Sequence, residues 1–136
     1  MEYNLQGIKI KNLPFKLTKK GDILVANGPV LSHFVSDDGN DYLMFWVDQD
    51  KESNRRLLFF VSRENLKRYF NTAISLKELV FFNQKDFVYF IDIDSNIEYK
   101  NIIRKAVKDF PMEYAPGENS FFNPDFAADY RLDINE

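Results

Sequence analysis

The sequence predicts an α+β domain in which an antiparallel β-meander is followed by a short helix pair and a returning strand. Aromatic residues make up 16% of the chain, with Phe 14 and Tyr 7, and these side chains favour strands. Short apolar runs separated by turn residues fill positions 22–61, and apolar residues at helical spacing follow them. The length of 136 residues suits one domain. We therefore expect a single domain over residues 1–136, ending in an irregular, acidic and aromatic segment over residues 111–136.

Four strands are expected before residue 62. They cover residues 22–27, 30–35, 42–47 and 56–61, and residues 7–11 alternate in the same way. The Asp38-Gly39 pair between the second and third strands supplies the positive backbone φ that hairpin turns need. Because the strands follow one another through short connections, they indicate an antiparallel meander.

Two short helices are expected after the meander. Ser62 is a suitable N-cap for a helix over residues 63–70, where apolar side chains recur three and four positions apart. Ser75 and Glu78 have the spacing of a capping box, in which each side chain bonds the backbone N–H of the other residue. This pair predicts a second helix over residues 76–82.

The chain beyond the helices gives weaker signals. Residues 87–93 are predicted as a strand, while the spacing over residues 99–107 fits a strand or a helix equally well. The C-terminal segment mixes acids with Phe121, Phe122 and Phe126. It can fold back over its own sheet or dock on a basic partner, and fold-back is favoured because these rings are costly to leave in water.

The predicted strand over residues 42–47 is apolar on both faces. Tyr42 and Trp46 point to one side, and Leu43 and Val47 point to the other. The helix pair covers only one of the two faces. The other face is expected to meet the N-terminal segment, the aromatic C-terminal segment or a second protein molecule, because a bare apolar sheet is rare in monomers.

Composition excludes several classes of site. The chain has no cysteine, which excludes a disulfide framework and any thiolate nucleophile or metal ligand. The five glycines match no dinucleotide or phosphate-binding pattern, so no nucleotide cofactor is expected. The first residues lack the pattern of a signal peptide, and no apolar run is long enough to span a bilayer. We expect a cytoplasmic protein with no membrane partner.

The net charge of −3 is unevenly distributed along the chain. Residues 1–20 contain five lysines and one acid, whereas residues 111–136 contain six acids and one arginine. Such asymmetry is typical of interaction segments. Mutual attraction of the two chain ends is an equal alternative, and exposed ion pairs of that kind contribute little to stability.

Paired carboxylates suggest a metal-dependent enzyme as one alternative. The candidate ligands are two pairs at predicted strand ends, Asp48, Asp50, Asp92 and Asp94. Mg²⁺ and Mn²⁺ prefer carboxylates, but residues two apart in a strand stand about 6.5–7 Å from each other, too far to share one small ion. Aspartate also favours strand ends and turns, so we assign no metal ligand. His33, the sole histidine, has no second imidazole or thiolate to join it, and no neighbouring serine has the context of a catalytic nucleophile.

A single-stranded nucleic-acid platform is a second alternative. Its candidates are five basic residues near the aromatic Phe60, namely Arg55, Arg56, Arg63, Lys67 and Arg68. Bases stack on exposed rings beside such basic groups. The acidic net charge and the interleaved Glu52 and Glu64 count against this function, so we expect no nucleic-acid partner.

Short motifs follow one another in the centre of the chain. They are Gly28-Pro29-Val30-Leu31, Tyr42-Leu43, Trp46-Val47-Asp48, Val61-Ser62 with Leu66, and Ile74-Ser75-Leu76. Over residues 21–94 this progression resembles a bacterial domain family of unknown function. The motifs mark turns, strands and helix caps. The resemblance therefore implies a bacterial or phage setting and no particular activity.

The function predicted from these observations is a non-catalytic protein-interaction module of a bacterial or phage accessory or regulatory system. The partner is expected to be another protein or a second copy of the chain, because acidic, aromatic-rich domains suit a partner's basic surface. No cofactor is expected. The interaction residues are predicted to be Tyr42, Trp46, Phe60, Phe121, Phe122, Asp125 and Phe126.

Overall fold

Six consecutive strands form one antiparallel sheet in which each strand lies beside its neighbour in sequence. The computed structural model describes residues 15–25, 29–49, 53–82, 86–94 and 99–126. The strands are β1 (Leu17–Val25), β2 (Pro29–Ser36), β3 (Asp41–Gln49), β4 (Ser53–Val61), β5 (Phe87–Asp94) and β6 (Tyr99–Ala106). Two helices, α1 (Arg63–Phe70) and α2 (Leu76–Phe81), connect β4 to β5. The predicted α+β class, with a helix pair before a returning strand, is confirmed.

The turn between β2 and β3 follows from its residue types. Gly39 has a φ of +88°, a conformation that glycine adopts without steric cost. The Gly39 N–H donates to the Ser36 carbonyl at 2.9 Å, and the Ser36 N–H donates to the Asn40 carbonyl at the same distance. This closed turn sets the register in which β2 pairs with β3.

Side-chain caps start both helices as the sequence predicts. The Ser62 hydroxyl accepts from the Asn65 N–H at 3.1 Å at the start of α1. At the start of α2, the Ser75 hydroxyl accepts from the Glu78 N–H, and the Ser75 N–H donates to the Glu78 carboxylate, both at 3.1 Å. These bonds satisfy N–H groups that have no partner inside a helix.

Two strands differ most from their sequence-based expectation, and β4 begins three residues earlier than expected, at Ser53. β1 begins at Leu17 rather than at residue 22, because pairing with β2 extends over a lysine-rich stretch that lacks a strand pattern. Residues 99–106, which fit a strand or a helix in sequence, form β6 because they pair with β5. The predicted strand over residues 7–11 lies outside the described residues.

The sheet is buried on both faces. On the face covered by α1 and α2, here called the helix-side face, Leu43, Leu57 and Phe59 pack with apolar helix residues. On the other face, here called the opposite face, Tyr42, Met44, Leu58, Tyr89 and Ile91 form a second buried cluster. The Phe15 ring stacks on Tyr42 there, with the ring centroids 4.7 Å apart. The predicted two-sided apolar pattern is therefore present in the fold.

The C-terminal segment folds back on the helix-side face. Phe110, directly before the segment, is buried against Phe81 and Phe90, with ring centroids 5.2 and 5.7 Å away, and the ring of Tyr114 within the segment lies 5.5 Å from that of Phe90. The segment was one of three expected covers for the face without helices. Up to residue 126, its described part lies with the helices instead, because its aromatic anchors meet side chains of the helix-side cluster. The favoured fold-back is therefore present up to residue 126, on the helix-side face, and residues 127–136 lie outside the described residues.

Candidate interaction surface

The C-terminal segment is fixed by hydrogen bonds to the first turn of α2. The Leu76 N–H donates to the Ser120 carbonyl at 2.8 Å, and the Lys77 N–H donates to the Ser120 hydroxyl at 3.2 Å. The Lys77 ammonium also pairs with the Glu118 carboxylate. The first N–H groups of a helix have no acceptor within the helix, and Ser120 supplies acceptor oxygens for two of those of α2.

Neighbouring phenylalanines of the segment have different environments. Phe122 is half-buried, and its ring centroid lies 5.7 Å from that of Tyr69 and 5.1 Å from that of Phe70. Burial raises the pKa of the Tyr69 hydroxyl, as expected beneath such a cover. Phe121, by contrast, is 43% exposed. Phe122 therefore anchors the segment, and Phe121 remains available to solvent.

Exposed carboxylates and exposed apolar side chains both occur along this segment. Met112 is 59% exposed, and Glu113, Glu118 and Asp125 are all exposed. We call Met112, Glu113, Glu118, Phe121 and Asp125 together the acidic tail surface. The Asp125 N–H donates to the Asn123 side chain at 3.0 Å. The backbone of Phe126 lies in the 3₁₀ turn Pro124–Phe126, and its side chain lies outside the described residues.

The other three predicted interaction residues belong to the opposite face. Tyr42 is only 4% exposed, and its ring meets Phe60 edge-on at 6.0 Å. Burial, with Asp38 and Tyr89 nearby, raises the pKa of Tyr42 to about 12. Trp46 is half-buried, its indole N–H donates to the Asp48 carbonyl at 2.9 Å, and the Arg56 guanidinium lies 5.8 Å from its ring. The seven predicted residues therefore do not form one patch.

The predicted carboxylate pairs meet an arginine. Arg55 lies between Asp48 and Asp92 in the register of β3, β4 and β5. Its guanidinium donates two hydrogen bonds to Asp92, at 2.7 and 2.9 Å. Hydrogen bonding to Asp92 raises the pKa of Arg55, which keeps its positive charge beside that carboxylate. Asp50 and the Asp94 side chain lie outside the described residues. Within the described ranges, no three histidine, aspartate or glutamate side chains gather as metal ligands.

The predicted basic platform is divided between different surroundings. Arg55 bonds Asp92 on the helix-side face, whereas Arg56 is buried beside Trp46 on the opposite face. Adjacent strand residues point to opposite sides, so the sheet itself separates them. Arg63 bonds a carboxylate of β3, and Arg68 is exposed and bonds Asn65 on its own helix. These side chains do not line one groove.

A buried charged cluster was missed by sequence reasoning. His33 is 1% exposed, and its Nε2 lies 2.7 Å from Asp41 Oδ1. Arg63 donates to the same carboxylate from Nε at 3.0 Å and from Nη2 at 3.1 Å. Burial alone raises the pKa of Asp41, but the hydrogen bonds from His33 and Arg63 outweigh it and hold that pKa below its usual value. The cluster joins β2, β3 and the first residue of α1.

The register of the β2–β3 hairpin predicts that His33 and Asp41 lie close together. Val35 pairs with Asp41 and His33 pairs with Leu43, so His33 and Asp41 lie diagonally on one face. The serine hydroxyls near His33 in sequence, and that of Ser62, bond other groups, and the Ser36 hydroxyl donates to the Asp38 carboxylate. Ser32 donates to Asp22 at 2.7 Å, and Ser62 caps α1. The cluster has the character of a structural ion network that ties the helix start to the sheet.

Comparisons with known proteins return no relative: no protein-family model, no curated protein and no solved structure matches the chain. The resemblance of residues 21–94 to a bacterial family of unknown function therefore stays a prediction. In the part of the chain that the structure describes, every helix is too short to cross a lipid bilayer.

Proposed function

We propose that this protein is a non-catalytic protein-interaction module that binds a basic partner protein through the acidic tail surface. One observation carries the proposal. Phe121 and Met112 stay exposed in the same stretch of chain, residues 112–125, as three exposed carboxylates, and neighbouring residues of this stretch are anchored on the helices and the sheet. The bacterial or phage accessory or regulatory setting is part of the proposal and rests on the sequence resemblance.

Anchoring of the segment supports affinity. A flexible peptide loses about 0.5–1.5 kcal/mol for each rotamer-rich side chain that binding immobilises, in addition to the cost of ordering its backbone. Here Phe122 and Ser120 already fix the backbone on either side of Phe121. Burying an exposed ring at an interface then contributes about 1 kcal/mol or more.

Charge supports selectivity and rate of association. Residues 107–126 contain four acids and one lysine, and Lys77 of α2 pairs with one of these acids, Glu118, so this stretch of chain still carries a net negative charge. Complementary charge accelerates association with a basic surface and disfavours acidic proteins. Rim charges of this kind act more on the association rate than on the lifetime of the complex, and salt weakens them.

Affinity purification from the native host tests the proposal, with matched variants as bait. Phe121→Ala and Asp125→Lys change exposed side chains of the acidic tail surface, while Val25→Ala changes an exposed side chain of β1. We expect a basic protein to be retained by the wild type and Val25→Ala, reduced about ten-fold with each tail variant, and released as salt rises. Equal retention by all four baits, or retention of no basic protein, would overturn the proposal.

A further inference from the structure

The two edges of the sheet differ in a way that bears on binding. Native proteins protect edge strands with bulges, prolines or charges, because an edge presents unpaired N–H and C=O groups to other chains. β1 has three register shifts along its pairing with β2, at Lys19/Gly21, Asp22/Leu24 and Leu24/Val25. β6 pairs with β5 without interruption from Ala106 to Asn101. β6 has one register shift, between Asn101 and Tyr99, so it is the more regular of the two described edges.

Both core layers reach the β6 edge. Ile103 pairs with the buried Phe90 and is 37% exposed, and Ile102 pairs with the buried Ile91 and is half-buried. Adjacent strand residues face opposite sides, so one isoleucine extends the helix-side face and the other extends the opposite face. A strand added at this edge would cover both side chains while its backbone pairs with that of β6.

The basic side chains of β6 favour an acidic strand at this edge. Residues 99–106 contain Lys100, Arg104 and Lys105 and no acid. The Arg104 guanidinium is held over the Phe87 ring at 3.7 Å from the centroid, and Lys105 is exposed. Two copies of β6 paired together would bring like charges opposite one another, which destabilises a sheet, whereas an acidic strand would bring opposite charges together.

We propose that the β6 edge binds an extended acidic strand of another protein by strand addition. Main-chain hydrogen bonds supply affinity in this binding mode, and alternate side chains supply specificity. The lysine and arginine side chains then have two effects, since they disfavour self-pairing and favour an acidic strand. The inference uses none of the acidic tail surface and stands independently of the function proposed above.

A synthetic peptide tests the inference directly. The probe is an acetylated and amidated octapeptide of alternating glutamate and valine, labelled for fluorescence polarisation. We expect saturable binding and at least ten-fold slower hydrogen exchange at β6 backbone amides, with β1 amides unchanged. The same peptide N-methylated at alternate residues keeps its charge and loses backbone donors, so we expect about ten-fold weaker binding or none.

Matched charge reversals separate this edge from general electrostatic attraction. The variant Arg104→Glu/Lys105→Glu is expected to weaken binding about ten-fold. The control Lys16→Glu/Lys20→Glu carries the same charge change at one exposed position directly before β1 and one within β1, and should bind as the wild type does. Melting temperatures establish that both variants fold. The proposal would be overturned if both charge-reversal variants weakened peptide binding equally, or if the N-methylated peptide bound as tightly as the unmodified one. It would also be overturned if the β6 amides became protected without peptide as the protein concentration rises, because that result would indicate a second copy as the occupant.

Discussion

Thr72, which follows the C-cap residue Asn71 of α1, has a backbone conformation that β-branched residues rarely adopt. Its φ is +59°, and its N–H donates to the Tyr69 carbonyl at 3.0 Å. The next N–H, that of Ala73, donates to the Arg68 carbonyl at 2.8 Å. A residue in the left-handed region at this position ends many helices, and glycine is the usual choice. A threonine there retains steric strain of about 1–2 kcal/mol.

We expect Thr72→Gly to raise the free energy of unfolding by about 0.5–1 kcal/mol, because relief of strain exceeds the entropy that glycine adds to the unfolded chain. Urea denaturation measures the difference. Ala73→Gly is the control, since Ala73 is exposed without a positive φ and glycine should destabilise it. A stability loss in both variants would contradict the strain assigned to Thr72.

At the scale of elements, the helix pair and the C-terminal segment depend on each other. α2 has six residues, fewer than an isolated helix needs in water. Ser120 accepts from its first backbone N–H groups, and Phe122 packs on α1 side chains. The segment is therefore part of the helical layer and contributes to its stability.

Adjacent phenylalanines give a matched test of this dependence. Phe122→Ala is expected to lower the free energy of unfolding by about 2 kcal/mol. Replacing a fully buried phenylalanine by alanine costs about 3–5 kcal/mol, and the Phe122 side chain is only half-buried. Phe121→Ala is expected to change it by less than about 0.5 kcal/mol, because exposed positions tolerate substitution. Thermal and urea unfolding of both variants give the comparison. A larger loss in Phe121→Ala would show that the packing assigned here is reversed.

For the molecule as a whole, acid should remove part of the stability through the His33–Asp41–Arg63 cluster. The pKa of Asp41 is lower in the folded state than in the unfolded chain. Its carboxylate therefore stabilises the fold at pH values above its unfolded pKa, near 4, and that contribution disappears as the pH falls through the lower folded value.

We expect Asp41→Asn to lower the free energy of unfolding by about 2 kcal/mol at pH 7. This is less than the loss on breaking a fully buried ion pair, because Arg63 is partly exposed. The difference in stability between Asp41→Asn and the wild type should shrink as the pH falls below about 4. The stability of the variant should therefore fall less steeply with acid than that of the wild type. Melting temperatures between about pH 2.5 and 7 measure this. Asp109→Asn, at an exposed position, is the control and should follow the wild type. Parallel profiles for Asp41→Asn and the wild type would exclude the assignment.

Local signals in the sequence were sufficient for much of the architecture. The Asp38-Gly39 turn and the Ser75–Glu78 capping box are interactions between near neighbours, so residue types alone predict them. The pairing of His33 with Asp41 needs the register of the β2–β3 hairpin as well. The side on which the C-terminal segment packs depends on the fit of Phe122 between rings of α1, which no periodicity encodes.

The candidate surfaces were less predictable for a related reason. Tyr42 and Phe121 are both aromatic residues, yet one is buried beneath a stacked Phe15 and the other faces solvent. Their difference arises from neighbours distant along the chain. Likewise, the sequence places Arg55 in a basic cluster that suits nucleic acid, but in the fold its guanidinium pairs with Asp92 on the adjacent strand.

The strictly sequential strand order has a consequence for biosynthesis. Each strand hydrogen-bonds to the one made immediately before it, so every pairing closes a loop within the preceding part of the chain. As the polypeptide leaves the ribosome, β1 to β4 can assemble while later codons are still being read. Docking of Ser120 onto Lys77 of α2, 43 residues earlier, has to wait until Ser120 itself has been synthesised.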